Sequence, residues 1–184
     1  MIKTKKDLSN YLSADAQRNG IKSKFDYWAK LLYGNESAHA FRYLKAFRMY
    51  EYYSNINSPL RFFLRYYHRR LGLKYRLAIP INTVGPGIYI PHFQGGVVIN
   101  CKSIGCNFII SSGCIIGNKD SQENRAIIGD NVELCIGSKV IGKVVIGDNV
   151  IVAPNSVVIK DIPSNCVVSG VPAKIIKQDG KKIL

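Results

Sequence analysis

A six-residue period of apolar residues constrains this chain more than any other feature. Between residues 104 and 158 every sixth position is aliphatic, with one exception at residue 122. The aliphatic anchors are Ile104, Ile110, Ile116, Ile128, Leu134, Val140, Ile146, Val152 and Val158. This period matches neither an α-helix nor a flat strand. We interpret each hexad as a short strand followed by a corner, so that three hexads form one coil of about 18 residues in a stacked triangular solenoid.

Two irregularities interrupt this pattern. Ile116 and Ile128 are two whole hexads apart, but the position between them is Gln122, so we predict that residues 118–126 form a loop that returns in phase. Ile90 and Val98 are eight residues apart, and the segment between them contains His92. An insertion beside a histidine in a regular scaffold indicates a functional site. A corner bulge relieved by two glycines is the alternative.

The N-terminal part of the chain has a different sequence pattern, in which large apolar residues recur three and four positions apart. This spacing predicts helices over 36–55 and 59–77. One stripe contains Phe41, Leu44, Phe47 and Tyr50, and a second contains Phe62, Tyr66 and Arg69. We expect the aromatic residues to belong to the core and the Arg and Lys residues to be solvated.

Positive charge is concentrated in the same part. Residues 1–80 contain 16 of the 26 Lys and Arg and 5 of the 12 Asp and Glu, a net charge of +11 out of +14 for the chain. Such a segment attracts phosphorylated cofactors, acidic glycans, lipid headgroups or nucleic acid. No nucleic-acid-binding signature accompanies the charge, so we do not expect a nucleic-acid partner. Contact with a membrane surface or an acidic glycan stays open.

The five cysteines are Cys101, Cys106, Cys114, Cys135 and Cys166. Their number is odd and none forms a C-x-x-C pair, so we expect small buried thiols in a reducing compartment. The sequence has no apolar run near the roughly 20 residues that span a bilayer. Its N-terminus has no apolar signal segment, so we expect a cytoplasmic protein.

These patterns together predict a basic α-helical domain at 1–80, a repeat domain at 81–177 and a C-terminal tail at 178–184. Three segments of the chain resemble the serine O-acetyltransferases, in particular the short forms found in surface-polysaccharide biosynthesis. They are GPGIYIPHFQGGVVIN (85–100), the hexads of 128–158 and GVPAKII (170–176). The resemblance implies a left-handed parallel β-helix preceded by a small α-helical domain. It also implies a homotrimer with acetyl-CoA in clefts between subunits, and it leaves open whether two trimers pair.

The chain departs from that family at two positions. Pro91 stands where the family has an Asp that helps to hold serine, and Ala126, after Arg125, stands where the family has a second His. We therefore expect the acetyl-transfer residues to be retained and the serine-binding residues to be altered. We expect the acceptor to be L-serine or a related small hydroxyl compound. A sugar hydroxyl of a capsule or lipopolysaccharide precursor is the alternative.

His92 is the candidate general base, because a neutral imidazole can take the proton of an attacking hydroxyl. Without a recognisable Ser-His-Asp or Cys-His set, we expect direct transfer rather than an acyl-enzyme. Backbone amides near Gly117 and across Cys135–Gly137 are candidate donors to the oxyanion, and Arg125 is a candidate charged donor. The candidate residues for binding acetyl-CoA are Gly117, Ile136, Gly137, Ala153, Pro154, Lys160 and Lys174.

Two other functions fit a solenoid of this kind. A metal hydrolase similar to the γ-type carbonic anhydrases would need about three protein ligands, usually His, and the repeats contain one. We therefore expect no metal. A non-catalytic trimeric scaffold would need neither the irregular His92 coil nor the loop at 118–126.

Overall fold

Four helices open the chain in the computed structural model, which describes residues 1–183. They are α1 (Lys5–Arg18), α2 (Lys24–Leu32), α3 (Glu36–Asn55) and α4 (Leu60–Tyr75). The side chains of Thr4, Ser23 and Asn35 cap the first three helices by accepting hydrogen bonds from backbone N–H groups. Both helices predicted from the sequence are therefore present, and the second is slightly shorter than predicted. No helix within residues 1–183 has the length and apolar character needed to cross a bilayer.

The remainder of the described chain consists of short strands. They are β1 (Leu77–Ala78), β2 (Val97–Ile99), β3 (Ser103–Ile104), β4 (Ile109–Ile110), β5 (Ile115–Gly117), β6 (Ile127–Ile128), β7 (Glu133–Leu134), β8 (Lys139–Ile141), β9 (Val145–Ile146), β10 (Ile151–Val152), β11 (Val157–Val158), β12 (Cys166–Gly170), β13 (Ala173–Gln178) and β14 (Lys181–Lys182).

The strands form the three faces of a triangular prism. Sheet 1 has the order β1-β2-β5-β8-β11, sheet 2 has β3-β6-β9, and sheet 3 has β4-β7-β10-β12-β13-β14. All pairings are parallel apart from the hairpins β12–β13 and β13–β14, which close the last coil. All nine aliphatic anchors are at most 4% exposed, so the period-six interpretation is correct. The predicted fold class, a parallel β-helix behind a small helical domain, is confirmed.

The polar break in the repeat is a loop, as predicted. Ile116 pairs with Val140 and Ile128 pairs with Ile146, so the strands on either side of residues 118–126 stay in register. Helix α4 and strand β1 are separated only by Arg76, and β1 already pairs with β2. The prism therefore begins a few residues before the predicted division at 80, and β14 lies within the predicted tail.

The prediction that the aromatic residues of α4 belong to the core is wrong. The α3 stripe is buried or half-buried, but Phe62 and Tyr66 on α4 are 64% and 63% exposed. The face of α4 that packs inward carries Leu64, Leu71 and Tyr75 instead. Helix α4 therefore has apolar residues on two opposite faces, and within residues 1–183 the face with Leu64, Leu71 and Tyr75 is covered while the face with Phe62 and Tyr66 is exposed.

Asparagine residues line one of the three edges of the prism. The asparagine edge, between sheets 2 and 3, carries Asn107, Asn131, Asn149 and Asn165, all with positive φ. Each side-chain amide donates to the side-chain oxygen below it at 2.9–3.1 Å, and the last donates to Asp179. Asparagine tolerates the left-handed conformation better than most residues, which explains its presence at this corner of successive coils.

Candidate active site

His92 lies on the edge between sheets 3 and 1, which we call the His92 edge. It is stacked above three further corners at 111–113, 135–137 and 153–155. Three backbone hydrogen bonds of 2.7–2.9 Å join these corners: from Gly113 to Gly96, from Gly137 to Ser112 and from Asn155 to Ile136. Since neighbouring strands are about 4.8 Å apart, the column below His92 is roughly 14 Å long.

The inserted coil turns sharply at His92. His92 has φ 53° and ψ 42°, a left-handed conformation, and it precedes a 3₁₀ turn over Phe93–Gly95. Ile90 and Phe93 on either side are buried, whereas the imidazole is 76% exposed. The Gly95 N–H donates to the Ser112 hydroxyl at 2.7 Å, which fixes the coil on the one below it. The extra residues of this coil therefore present the imidazole at the surface of an otherwise regular edge.

Glu36 lies beside His92 although it is 56 residues away in the chain. Its Oε2 is 3.3 Å from His92 Nδ1, and its Oε1 accepts the Phe93 N–H at 3.0 Å. Glu36 is the first residue of α3, where the helix dipole favours a carboxylate. A carboxylate next to Nδ1 favours the tautomer with the proton on Nδ1, and this leaves the lone pair on Nε2. That is the form in which an imidazole acts as a base.

The other two histidines serve the helical domain. His39 Nδ1 lies 3.0 Å from the Tyr75 hydroxyl. His68 packs among the rings of Tyr43, Phe47 and Tyr50, and burial lowers the pKa of its imidazole to about 4. Both imidazoles therefore have packing roles within the helical domain.

The predicted site residues divide between two edges of the prism. Ile136, Gly137, Ala153 and Pro154 lie on the His92 edge, in the column described above. Gly117, Arg125 and Lys160 lie on the edge between sheets 1 and 2, which we call the loop edge because it carries the loop 118–126. Lys174 is exposed on β13.

The two edges are separated by the width of sheet 1, about 10 Å for a three-residue strand. Arg125 and His92 of one chain are therefore too far apart to act on the same bound molecule. The Arg125 guanidinium instead donates from Nε to the Gln122 carbonyl at 2.6 Å, within its own loop. One chain thus places five of the nine predicted residues, His92 included, on the His92 edge and three on the loop edge.

The thiols show no sign of being nucleophiles. Burial raises the pKa of Cys101 to about 12 and that of Cys135 to about 11, so both stay protonated at neutral pH. All five cysteines are unpaired. Within residues 1–183 there is no cluster of three or more His, Cys, Asp or Glu side chains arranged to hold a metal ion.

Sequence reasoning did not find Glu36. The only local signal was an Asn-Glu pair at a helix start, which usually indicates a cap. Its role depends on how α3 docks against the inserted coil, and no pattern within either segment reports that contact.

We expect Glu36→Gln to lower kcat for the reaction that uses His92 about ten- to a hundredfold, less than the typical contribution of a general base. The amide oxygen of Gln can still accept the Phe93 N–H, so the coil should keep its shape. The affinity for the bound substrates should be unchanged. Kinetic constants at saturating and limiting substrate separate the two effects.

Asp26→Asn is the matched control, because it removes a carboxylate on α2 that accepts hydrogen bonds from the Lys22 backbone N–H and the Lys30 side chain. Equal kcat values for the Glu36→Gln variant and the wild type would show that Glu36 does not position the imidazole. A lowered melting temperature together with lowered kcat would indicate a structural role only.

Known proteins share both the repeat and the fold. Residues 125–160 match the family described as bacterial transferase hexapeptide (six repeats). A serine acetyltransferase of Staphylococcus epidermidis is 37% identical over 106 residues, which are 56% of this chain and 50% of that protein. The corresponding protein of Staphylococcus xylosus is 38% identical over 106 residues, 56% of this chain and 49% of its own length. The chain thus spans about half the length of the curated relatives that it matches.

Solved structures extend the likeness to the helices. Soybean serine acetyltransferase has a TM-score of 0.74 at 24% identity, over 93% of this chain and 69% of that one. The Neisseria gonorrhoeae serine acetyltransferase has a TM-score of 0.72 at 20% identity, over 98% of this chain and 70% of that one. The chain therefore contains a stretch of bacterial transferase hexapeptide repeats, and its left-handed β-helix and N-terminal helical domain resemble those of the serine acetyltransferases in fold.

Proposed function

We propose that this protein is an acetyl-CoA-dependent O-acetyltransferase that acts on L-serine or a related small hydroxyl compound. The observation that carries the proposal is the exposed His92 imidazole, with a carboxylate oxygen 3.3 Å from Nδ1, on a column of small-residue corners. The names of the relatives support the reaction class. A serine acetyltransferase solved in complex with CoA has a TM-score of 0.66 to this chain, at 20% identity.

The residues of the His92 edge suit a long thin ligand. Gly137 has φ +73°, and a Cβ at this position would collide with the Asn155 side chain. Pro154 and Ile136 are exposed, so the backbone of the column is reachable from outside. Ile136 and its neighbours would accept a pantetheine arm through backbone groups and apolar contact. The phosphates of CoA would bind lysine side chains, and the exposed Lys160 and Lys174 are the candidates for this contact.

In the proposed reaction His92 Nε2 takes the proton of the acceptor hydroxyl as its oxygen attacks the thioester carbonyl. Glu36 faces the Nδ1 side of the imidazolium and stabilises its charge during this step. The tetrahedral intermediate then collapses, the C–S bond breaks, and the imidazolium returns the proton to the leaving CoA sulfur. The base is regenerated, and no covalent acyl-enzyme is required.

We propose that the complete site forms between copies of the chain in a homotrimer. The His92 edge of one copy would face the loop edge of the next, and this arrangement brings Arg125 and Gly117 to the cleft. The division of the predicted residues between two edges supports this arrangement, since one chain does not unite them. Arg125 would then be a charged donor to the oxyanion.

A sugar acceptor is the second candidate. Pro91 occupies the position at which the resemblance implies an Asp that helps to hold serine, and Ala126, which is fully buried, stands in place of a second active-site His. Neither residue can bind an amino-acid carboxylate or ammonium group. A less charged acceptor such as a sugar hydroxyl fits this loss.

The test is release of CoA thiol from acetyl-CoA with L-serine and, in parallel, with sugar and polysaccharide acceptors. We expect acceptor-dependent release with one of the two groups. Binding of CoA should be measured separately by calorimetry. Absence of both turnover and CoA binding would contradict the proposal and favour a scaffold role.

A further inference from the structure

Helix α4 presents an unusual outer face. Phe62, Tyr66, Arg69 and Leu73 follow one another at spacings of four, three and four residues, so they form a single row. Phe62, Tyr66 and Leu73 are 64%, 63% and 71% exposed. The Phe62 ring contacts the Arg61 guanidinium at 5.0 Å, and Leu73 lines a cleft beside β1, yet all three apolar side chains stay mostly exposed. A chain whose helix faced only water would carry polar residues at these positions.

Helix α2, which adjoins α4 at Phe63, carries further exposed apolar side chains. Trp28 on α2 and Phe63 on α4 line one cleft of about 340 Å³. Phe25 and Leu32, one turn before and one turn after Trp28, are 84% and 86% exposed. Aromatic and leucine side chains therefore extend across both helices. We call the exposed side chains of α2 and α4 the outer helical surface.

On α4, the charged residues around this surface are all basic. That helix carries Arg61, Arg65, Arg69, Arg70 and Lys74, and it contains no Asp or Glu. On α2 the acidic residue is Asp26, and it is already paired with Lys30 at 3.0 Å. Two copies of such a surface would repel each other, which disfavours a second copy as the partner. An anionic partner is favoured instead.

We propose that the outer helical surface docks on the surface of a bilayer that contains anionic lipids. Exposed Phe, Trp, Tyr and Leu side chains interleaved with Arg and Lys are the composition of an interfacial helix. The apolar side chains would enter the boundary between headgroups and acyl chains, while the guanidinium groups meet lipid phosphates. Leu32 and Leu73 cannot stack on bases, so this composition favours lipid over nucleic acid. The proposal is independent of the reaction proposed above.

The experiment is co-sedimentation of the full chain with vesicles. One set contains phosphatidylcholine alone, and the other contains an equal mixture of phosphatidylcholine and phosphatidylglycerol. We expect binding to the mixed vesicles that weakens as salt rises, and little binding to the neutral vesicles. Each basic residue near an anionic surface contributes about 1 kcal/mol, so the double variant R69Q/R70Q should bind roughly thirtyfold more weakly.

Two further variants separate lipid docking from general charge attraction. F62S/Y66S keeps every charge and should also lose most of the binding, because the apolar insertion is gone. K181Q/K182Q removes two exposed charges on β14 and should bind like the wild type. The altered side chains are all exposed, so the melting temperatures of the three variants should match that of the wild type.

Several results would overturn the proposal. Equal loss in K181Q/K182Q and R69Q/R70Q would show attraction by net charge alone. Unchanged binding in F62S/Y66S would show that no side chain enters the bilayer. Failure to sediment with any vesicle, together with a smaller assembly for F62S/Y66S in analytical ultracentrifugation, would identify a second copy as the partner. Tighter binding to single-stranded nucleic acid than to mixed vesicles at equal salt would identify nucleic acid as the partner.

Discussion

Replacing His92 with Gln is expected to lower kcat for the proposed acetyl transfer by about 10²–10⁴-fold, the usual contribution of a general base. A glutamine side chain cannot accept and return a proton, but it is polar and of similar size. His92 is exposed and Phe93 keeps its hydrogen bond to Glu36, so the coil should remain folded. The measurement is acceptor-dependent CoA release, together with CoA affinity by calorimetry, which should be unchanged.

His39→Gln is the matched control, because it removes an imidazole that contacts Tyr75 in the helical domain. It should keep wild-type turnover. A His92→Gln variant with more than a third of the wild-type kcat would rule out His92 as the base. Loss of CoA affinity with unchanged kcat would instead assign His92 to ligand binding.

The second large effect concerns stability. Arg48→Met is expected to lower the free energy of unfolding by about 3–5 kcal/mol, because it leaves two buried carboxylates without a counter-charge. Arg48 is fully buried, with Nε 2.8 Å from Asp15 Oδ2 and Nη1 3.3 Å from Glu51 Oε2. Its other N–H groups donate to the carbonyls of Val84 at 2.8 Å and Gly85 at 2.6 Å. The guanidinium therefore joins α1 and α3 to the first coil of the prism.

Asp15 completes this connection, since it accepts the backbone N–H groups of Gly87 and Ile88 at 2.8 and 3.1 Å. For a chain of this size the loss corresponds to a melting temperature lower by roughly 6–20 °C. Combining Arg48→Met with Asp15→Asn and Glu51→Gln should recover part of the loss, because the unpaired charges are then removed.

Arg70→Met is the control for these measurements, and it should change stability by less than about 0.5 kcal/mol, since Arg70 is exposed. An Arg48→Met protein that melts within 2 °C of the wild type, by calorimetry at neutral pH, would contradict the role of the cluster.

The fold of the repeat region was predictable because each hexad meets the same structural requirement within six residues. Each hexad has to bury one aliphatic residue and turn a corner, so the anchors appear in the sequence at a fixed spacing. The same logic located His92, whose coil breaks the spacing. The left-handed asparagines were in principle visible as Gly-Asp-Asn at 129–131 and 147–149, although the period of the anchors alone does not require them.

Features that depend on docking were not predictable in the same way. Glu36 and His92 meet only because α3 packs against the inserted coil. The aromatic residues of α4 follow a helical spacing on both faces, and the spacing alone does not state which face is covered. Arg125 shows a third kind of limit, since the period of the anchors does not state which edge of the prism the loop 118–126 leaves from.

The loop 118–126 leaves and re-enters the prism between paired strands, and several of its hydrogen bonds close within the loop itself, such as Asn124 to Ser121 and Asn118 to Ser121. Its length is therefore decoupled from the stacking of the coils. Insertions or deletions here should leave the imidazole and the column beneath it unchanged. Variation in this segment should therefore reshape the loop edge while the stacked coils keep their register.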